Sequence, residues 1–222
     1  MAPLRALFSP VVETFLVLTT AGNWVPRVSD LRGRRINIGP PASGSEITFN
    51  QLLRARGWRP GDFGALTTIR SSLQAQALCR GAVDAVAFVA ANPVPVLQEA
   101  TFACAARLVP LDQEFSSAMI ERHPAYVPAV VPGGLYPNNP DPTPTIGVRA
   151  VVIAGADLPD EIAYLVTRTL FTRMPEFRTL HLAFAQAQPK DLVDQCLFAE
   201  VHPGAARYYR EAGLTMPPRC LH

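Results

Sequence analysis

The octapeptide Gly39-Pro40-Pro41-Ala42-Ser43-Gly44-Ser45-Glu46 follows a short apolar run, Arg34–Gly39, and opens a segment of helical period. Gly39 and Gly44 have the glycine spacing that begins a P-loop. A P-loop continues with Lys and Ser/Thr, which reach the phosphates and a magnesium ion. Ser45 and Glu46 stand in those places, so nucleotide binding is disfavoured. Nor is the segment a G-x-S-x-G elbow, and no His/Asp set suggests a hydrolase. The residues do offer a helix start, where backbone N–H groups lack partners and the helix dipole favours an anion. Ser43, Gly44 and Ser45 would add two hydroxyls and an unobstructed backbone. Ser43-x-x-Glu46 is equally a capping box, which satisfies such donors internally. Capping and carboxylate binding are compatible, because the box uses only some of the donors.

A second candidate is the loop Ala90-Ala91-Asn92-Pro93, after the apolar run Val83–Val89. It lies at the C-terminal end of an expected parallel strand, where open α/β sheets place ligands. The ordinary reading, and the favoured one, is a helix start with Asn92 as N-cap and Pro93 at the first helical position. The histidines, at 123, 181, 202 and 222, show no ligand spacing; His123 and His202 precede prolines and read as boundary residues. No metal site and no cofactor is expected. Cys79, Cys104, Cys196 and Cys220 form no C-x-x-C pair or zinc pattern. Cys79 and Cys104 read as small buried hydrophobes, with a disulfide between them an option for an exported protein.

These residues must be held by one large domain or two small ones in a chain of 222 residues. Half of the residues are apolar (49%) and 17% charged, so a packed core is expected. A net charge of +2 leaves no electrostatic footprint for nucleic acid or anionic lipid. Glu13 and Pro10 interrupt the one N-terminal stretch that resembles a signal peptide; a strand Glu13–Thr19 is expected there instead.

Helices are expected over Ser43–Arg56, Ser71–Arg80, Pro93–Cys104 and Asp112–Arg122. Strands are expected near Arg34–Gly39, Ala65–Ile69, Val83–Val89, Arg107–Pro110 and Tyr126–Val131, which alternation implies an α/β fold with a largely parallel sheet. Six prolines from Pro128 to Pro144 then mark a surface loop or connection. A strand Thr145–Ile153, a helix Asp157–Arg173 and a last helix near Pro203 complete the chain. Tyr208-Tyr209 on that last helix would pack into the core and at its edge.

Several blocks in this order resemble the TAXI-type solute-binding receptors of TRAP transporters. They are LRALFSPVVETFLVLTT, VSDLRGRRINIGPPASGSE, GAVDAVAFVAANP, RLVPLD, HPAYVPAVVPGGLYP, IGVRAVVIAGADLPDEIAYLVTRTLF and HPGAARYYREAG. They run from Leu4 to Gly213, and G-P-P-x-S-G-S and H-P-G-A-x-R-Y-Y are the most specific.

The resemblance implies an α/β, periplasmic-binding-protein-like (type II) fold, with two lobes joined by hinge strands. It implies a periplasmic, non-enzymatic receptor that holds a small acidic solute, glutamate-like or a dicarboxylate, and passes it to the membrane components of a TRAP transporter. Ser43, Gly44 and Ser45 would meet a ligand carboxylate, Ala90, Ala91 and Asn92 would face it, and Tyr136 would approach from the hinge side. Residues 1–20 would be a hinge strand and remnant of lobe I, 21–143 lobe II, and 144–222 the return strand and helical part of lobe I. Against the family pattern the first lobe is incomplete, so a fragment, a mis-started frame or a degenerate descendant with a weakened half-cleft is expected. Rival readings are a ligand-sensing module of a signalling receptor and an enzyme on the same fold, for which Glu46 would be the nearest titratable group.

Overall fold

The computed structural model describes residues 3–193 and 197–217. Cys196, Cys220 and His222 lie outside the described residues. The chain divides into two compact units, Glu13–Val148 and a second made of Met1–Val12 with Arg149–His222.

The first unit is a three-layer α/β arrangement, and the alternation of side chains along its strands explains why. In β4 (Ala85–Ala90), Ala85 and Ala87 enter one core while Val86 and Phe88 enter another. In β1 (Leu4–Thr19), Phe15 and Val17 join the first and Leu16 and Leu18 the second. A strand buried on both faces needs helices on both. On one side α1 (Gly44–Arg56) and α4 (Gln113–Arg122) contribute Phe49, Leu52, Phe115 and Met119. On the other, α2 (Gln74–Cys79) and α3 (Pro95–Ala103) contribute Ala75, Leu78, Leu97 and Ala100.

The remaining strands are β2 (Arg35–Asn37), β3 (Ala65–Thr67), β5 (Arg107–Leu108), β6 (Tyr126–Val131) and β7 (Thr143–Gly155). Their order is β3-β2-β4-β1-β7-β6, with β5 also pairing β1. The sheet is mixed rather than largely parallel. β2 runs parallel to β3 and β4, but β1 is antiparallel to β4 and β5, and β6 to β7. The helix-separated strands do pair in parallel; β1 does not, because it enters from the far end. Pro128 is accommodated within β6 because that strand lies at the end of the order.

β1 begins at Leu4, well before the expected Glu13. Its first part belongs to the second unit, where Ser9 donates from Oγ to the Ala150 carbonyl at 2.9 Å. In that unit α5 (Asp160–Thr172), α6 (Met174–Leu180) and α7 (Pro203–Glu211) surround Leu7 and Phe8. The fully buried Tyr209 donates its hydroxyl to the Leu7 carbonyl, and burial pushes its phenol pKa far up. His202 caps α7: Nδ1 accepts from the Gly204 N–H at 3.2 Å, and Nε2 lies 3.1 Å from the Leu158 carbonyl. Arg207 closes the pair of helices with two bonds to the Glu161 carboxylate, 2.7 and 2.9 Å.

Cys79 and Cys104 form a disulfide, with α-carbons 5.4 Å apart. Reading them as independent small hydrophobes missed that α2 and α3 pack side by side on one sheet face, which brings the two helix ends together.

Candidate functional site

The segment between β2 and α1 is fixed by side chains that sequence reasoning passed over. Asn37, fully buried at the end of β2, accepts from the Gly39 N–H at 2.8 Å and the Ile69 N–H at 3.2 Å. That one amide ties together the loops leaving β2 and β3. Gly39 adopts φ +97°, and a β-carbon there would sit 2.7 Å from Ser45 Cβ and 2.9 Å from Ser43 Oγ. Only glycine satisfies both demands.

The start of α1 is a capping arrangement. Ser43 is the N-cap, its Oγ accepting from the Glu46 N–H at 3.2 Å, while the Glu46 carboxylate accepts from the Ala42 N–H at 2.6 Å. Ser45 is buried, and its Oγ accepts from the Val89 N–H at 2.9 Å, fastening the helix to the end of β4. Both hydroxyls of the triplet are thus engaged within the protein. The Gly44 and Ser45 N–H groups find no acceptor among the described residues, and Gly44 is exposed.

Gly44 lines an open groove of about 340 Å³, shared with Glu13, Ile47, Thr48, Gln51, Val89, His123, Ala125, Tyr126 and Val148. Every one of these residues belongs to the first unit. The walls are largely apolar, with polar groups at separate points. Tyr126 donates its hydroxyl to Thr48 Oγ1 at 3.3 Å, and burial raises its phenol pKa. The His123 ring meets that of Tyr126 edge-on at 5.9 Å. Glu13 is half-buried, desolvation alone lifts its carboxyl above the usual range, and no ion pair or hydrogen bond reaches that carboxyl among the described residues.

The other expected site residues form a neighbouring network. Asn92 donates from Nδ2 to Thr14 Oγ1 at 2.6 Å and accepts on Oδ1 from the Tyr136 hydroxyl at 2.6 Å. The Tyr136 oxygen in turn accepts from the Val94 N–H at 2.8 Å, and burial pushes its pKa up to about 12. Asn92 therefore does not cap α3; Val94 is the N-cap and Pro95 begins the helix. The Asn92-Pro93 bond is cis, and the Asn92–Thr14 bond holds the loop against β1. Ala90 ends β4 opposite Thr14, and Ala91 follows it. Of the sequence-derived residues, Gly44 lines the groove, Ser43 and Ser45 hold the helix start beside it, and Asn92 and Tyr136 are joined to one another and to β1.

A larger depression of about 550 Å³ lies in the second unit, lined by Leu4, Arg5, Val151, Ile153, Phe198, Ala199 and Glu200. Its ionic groups already pair, Arg5 with Glu200 at 3.2 Å. The smaller groove, with a helix start and an unpartnered carboxyl converging on one space, is the better candidate. Among the described residues there is no group of three or more His, Cys, Asp or Glu able to hold a metal ion. No described helix is long and apolar enough to cross a membrane.

This fold and groove define an α/β protein with a central mixed sheet and a small-molecule-sized depression at strand and helix ends. Residues 1–213 match the NMT1-like family, and the chain belongs to it; the family's fold is that of type II periplasmic binding proteins. Among solved structures the chain is similar to the periplasmic aliphatic sulphonate-binding protein SsuA of Escherichia coli (22% identity, TM-score 0.40, 49% of this chain and 36% of that one). It is also similar to a periplasmic binding protein of an ABC transporter from Brucella ovis with glutathione bound (11% identity, TM-score 0.45, 85% and 49%). A third is substrate-binding domain 2 of GlnP from Lactococcus lactis in open conformation (10% identity, TM-score 0.43, 82% and 61%). The chain thus spans between 36% and 61% of the length of these three proteins.

Proposed function

We propose that this chain is the solute-binding component of a transporter, of the TRAP type with a TAXI-like receptor, and that it binds a small carboxylate without catalysing a reaction. The observation that carries the reading is the groove lined by Gly44 at the start of a 13-residue helix, whose Gly44 and Ser45 N–H groups find no acceptor among the described residues. Donors so placed, at the positive end of the helix dipole, suit a carboxylate. Ser43 and Ser45 contribute by fixing the helix start. Ala90, Ala91, Asn92 and Tyr136 contribute by fixing the loop after β4 against β1. The division into 1–20, 21–143 and 144–222, with β1 and β7 as connecting strands, belongs to the same reading. So does placement outside the cytoplasm, which the Cys79–Cys104 disulfide supports, since such bonds persist in oxidising compartments.

Gly44→Asp tests the reading. A β-carbon at 44 meets only Val89, at 3.7 Å, so the side chain fits. A carboxylate in the first turn is favourable for the helix, so thermal stability should be unchanged or slightly raised. The same carboxylate would occupy the place of the ligand's own, and affinity for glutarate or L-glutamate should fall by about tenfold or more, which is ~1.4 kcal/mol. Calorimetry that finds equal affinity in parent and variant would refute this placement of the ligand.

A further inference from the structure

Glu13 sits where a receptor for purely anionic solutes would not keep it. Glu13 lines the same groove as Gly44, and among the described residues no ion pair or hydrogen bond reaches its carboxyl. The one basic side chain among the residues lining the groove is His123, whose ring packs edge-on against that of Tyr126. Two other carboxylates of this unit do have cationic partners: Asp62 pairs with Arg32 at 2.9 Å, and Asp84 with Arg35 at 2.7 Å. Desolvation without compensation costs free energy, and burial does raise the Glu13 pKa. A bound molecule that brings a positive charge would remove that cost.

Resting on the proposed carboxylate site, we infer that Glu13 is a specificity-determining residue that selects ligands carrying a cationic nitrogen besides their carboxylate. The groove then has two poles, amide donors at Gly44 and a carboxylate at Glu13. About 340 Å³ falls at the lower end of the ~300–1,000 Å³ of small-molecule sites. A second carboxylate directed at Glu13 would meet like charge in a partly desolvated place, which is unfavourable.

The test uses pairs of probes that differ only by an α-amino group: glutarate with L-glutamate, and succinate with L-aspartate. Calorimetry on the 222-residue chain should show the aminated member of at least one pair binding about tenfold or more tightly. In Glu13→Gln the preference should collapse to within about twofold, with the non-aminated partner binding as well as before or better. A thermal melt of the variant, similar to that of the parent, would show that the fold is intact. Equal affinity within each pair in the parent would overturn the role of Glu13 and leave the carboxylate site standing. So would a preference that survives in Glu13→Gln. A diacid preferred over its amino acid would point to a protonated Glu13 that donates, and would equally overturn the inference. If none of the four probes binds the parent, the carboxylate site itself fails, and the inference with it.

Discussion

Replacing both Cys79 and Cys104 by serine is expected to lower the stability of the first unit by about 3 kcal/mol. The bond closes a loop of 25 residues, and cross-linking such a loop removes that order of chain entropy from the unfolded state. The loop contains β4, a strand with both faces buried, and the Asn92 segment fastened to Tyr136. Opening the loop therefore frees a central strand of the sheet in the unfolded ensemble while leaving its native contacts in place. For a chain of this size the melting temperature should drop by roughly 6–12 °C. Adding a reductant to the parent should produce a fall of the same order. A double variant that melts with the parent, or free thiols at both positions in the untreated protein, would contradict the account.

Gly204→Ala is expected to be about as damaging, for a different reason. α7 crosses α5 so closely that a β-carbon at 204 would run into the Asp160 carbonyl oxygen, 2.8 Å from the Tyr164 nitrogen and 3.0 Å from Ala163 Cβ. The obstacles are mainly backbone, which cannot swing aside as a side-chain tip can. Overpacking of this kind costs about 1–3 kcal/mol, and more where nothing yields. The helices would have to part, which loosens the Arg207–Glu161 pair and the seating of Tyr209 on Leu7. A melting temperature reduced by about 5–10 °C is expected, whereas Arg207→Ala, which removes surface ion pairs with Glu161 and Glu211 and the stacking on Tyr164 but does not oppose the helix crossing, should lower it much less. Equal stability of the two variants would show that the helix crossing is not the constraint.

Much of the architecture was legible because it follows from period and capping. Ser43 and Glu46 mark the start of α1 as their spacing suggested, though Glu46 reaches the Ala42 N–H rather than that of the N-cap. The strand read at Val83–Val89 is β4, displaced to Ala85–Ala90, and its alternation places it between two cores. The beginning of β1 was not legible: Ser9 and Pro10 break the apolar pattern, and the pairing that includes them depends on β7, far away in the chain. The Cys79–Cys104 disulfide could be named as an option but not decided from sequence, since helix adjacency is a tertiary fact.

The candidate site was half legible. Gly44 stood out because a helix start next to a strand has a local signature. Glu13, Thr48, Gln51, His123 and Tyr126 did not, because three separate stretches of the chain bring them to one groove. The available signal for Glu13 is an ionisable residue within an apolar strand; the sequence places it at the start of that strand and against membrane insertion, with nothing to mark a groove. Asn92 and Tyr136 attract notice as polar residues in loops, and their bonds to each other and to Thr14 reveal what they hold in place.

The most direct measurement is a ¹⁵N-resolved NMR titration with glutarate and L-glutamate that follows the backbone amides of the first turn of α1. Saturable binding should move the Gly44 and Ser45 amide protons downfield, as donors that gain an anionic acceptor do, while the already bonded Glu46 amide shifts little. Saturation with Gly44 and Ser45 unmoved, or no shift anywhere at millimolar ligand, would contradict the assignment of this groove as the place where the solute is held.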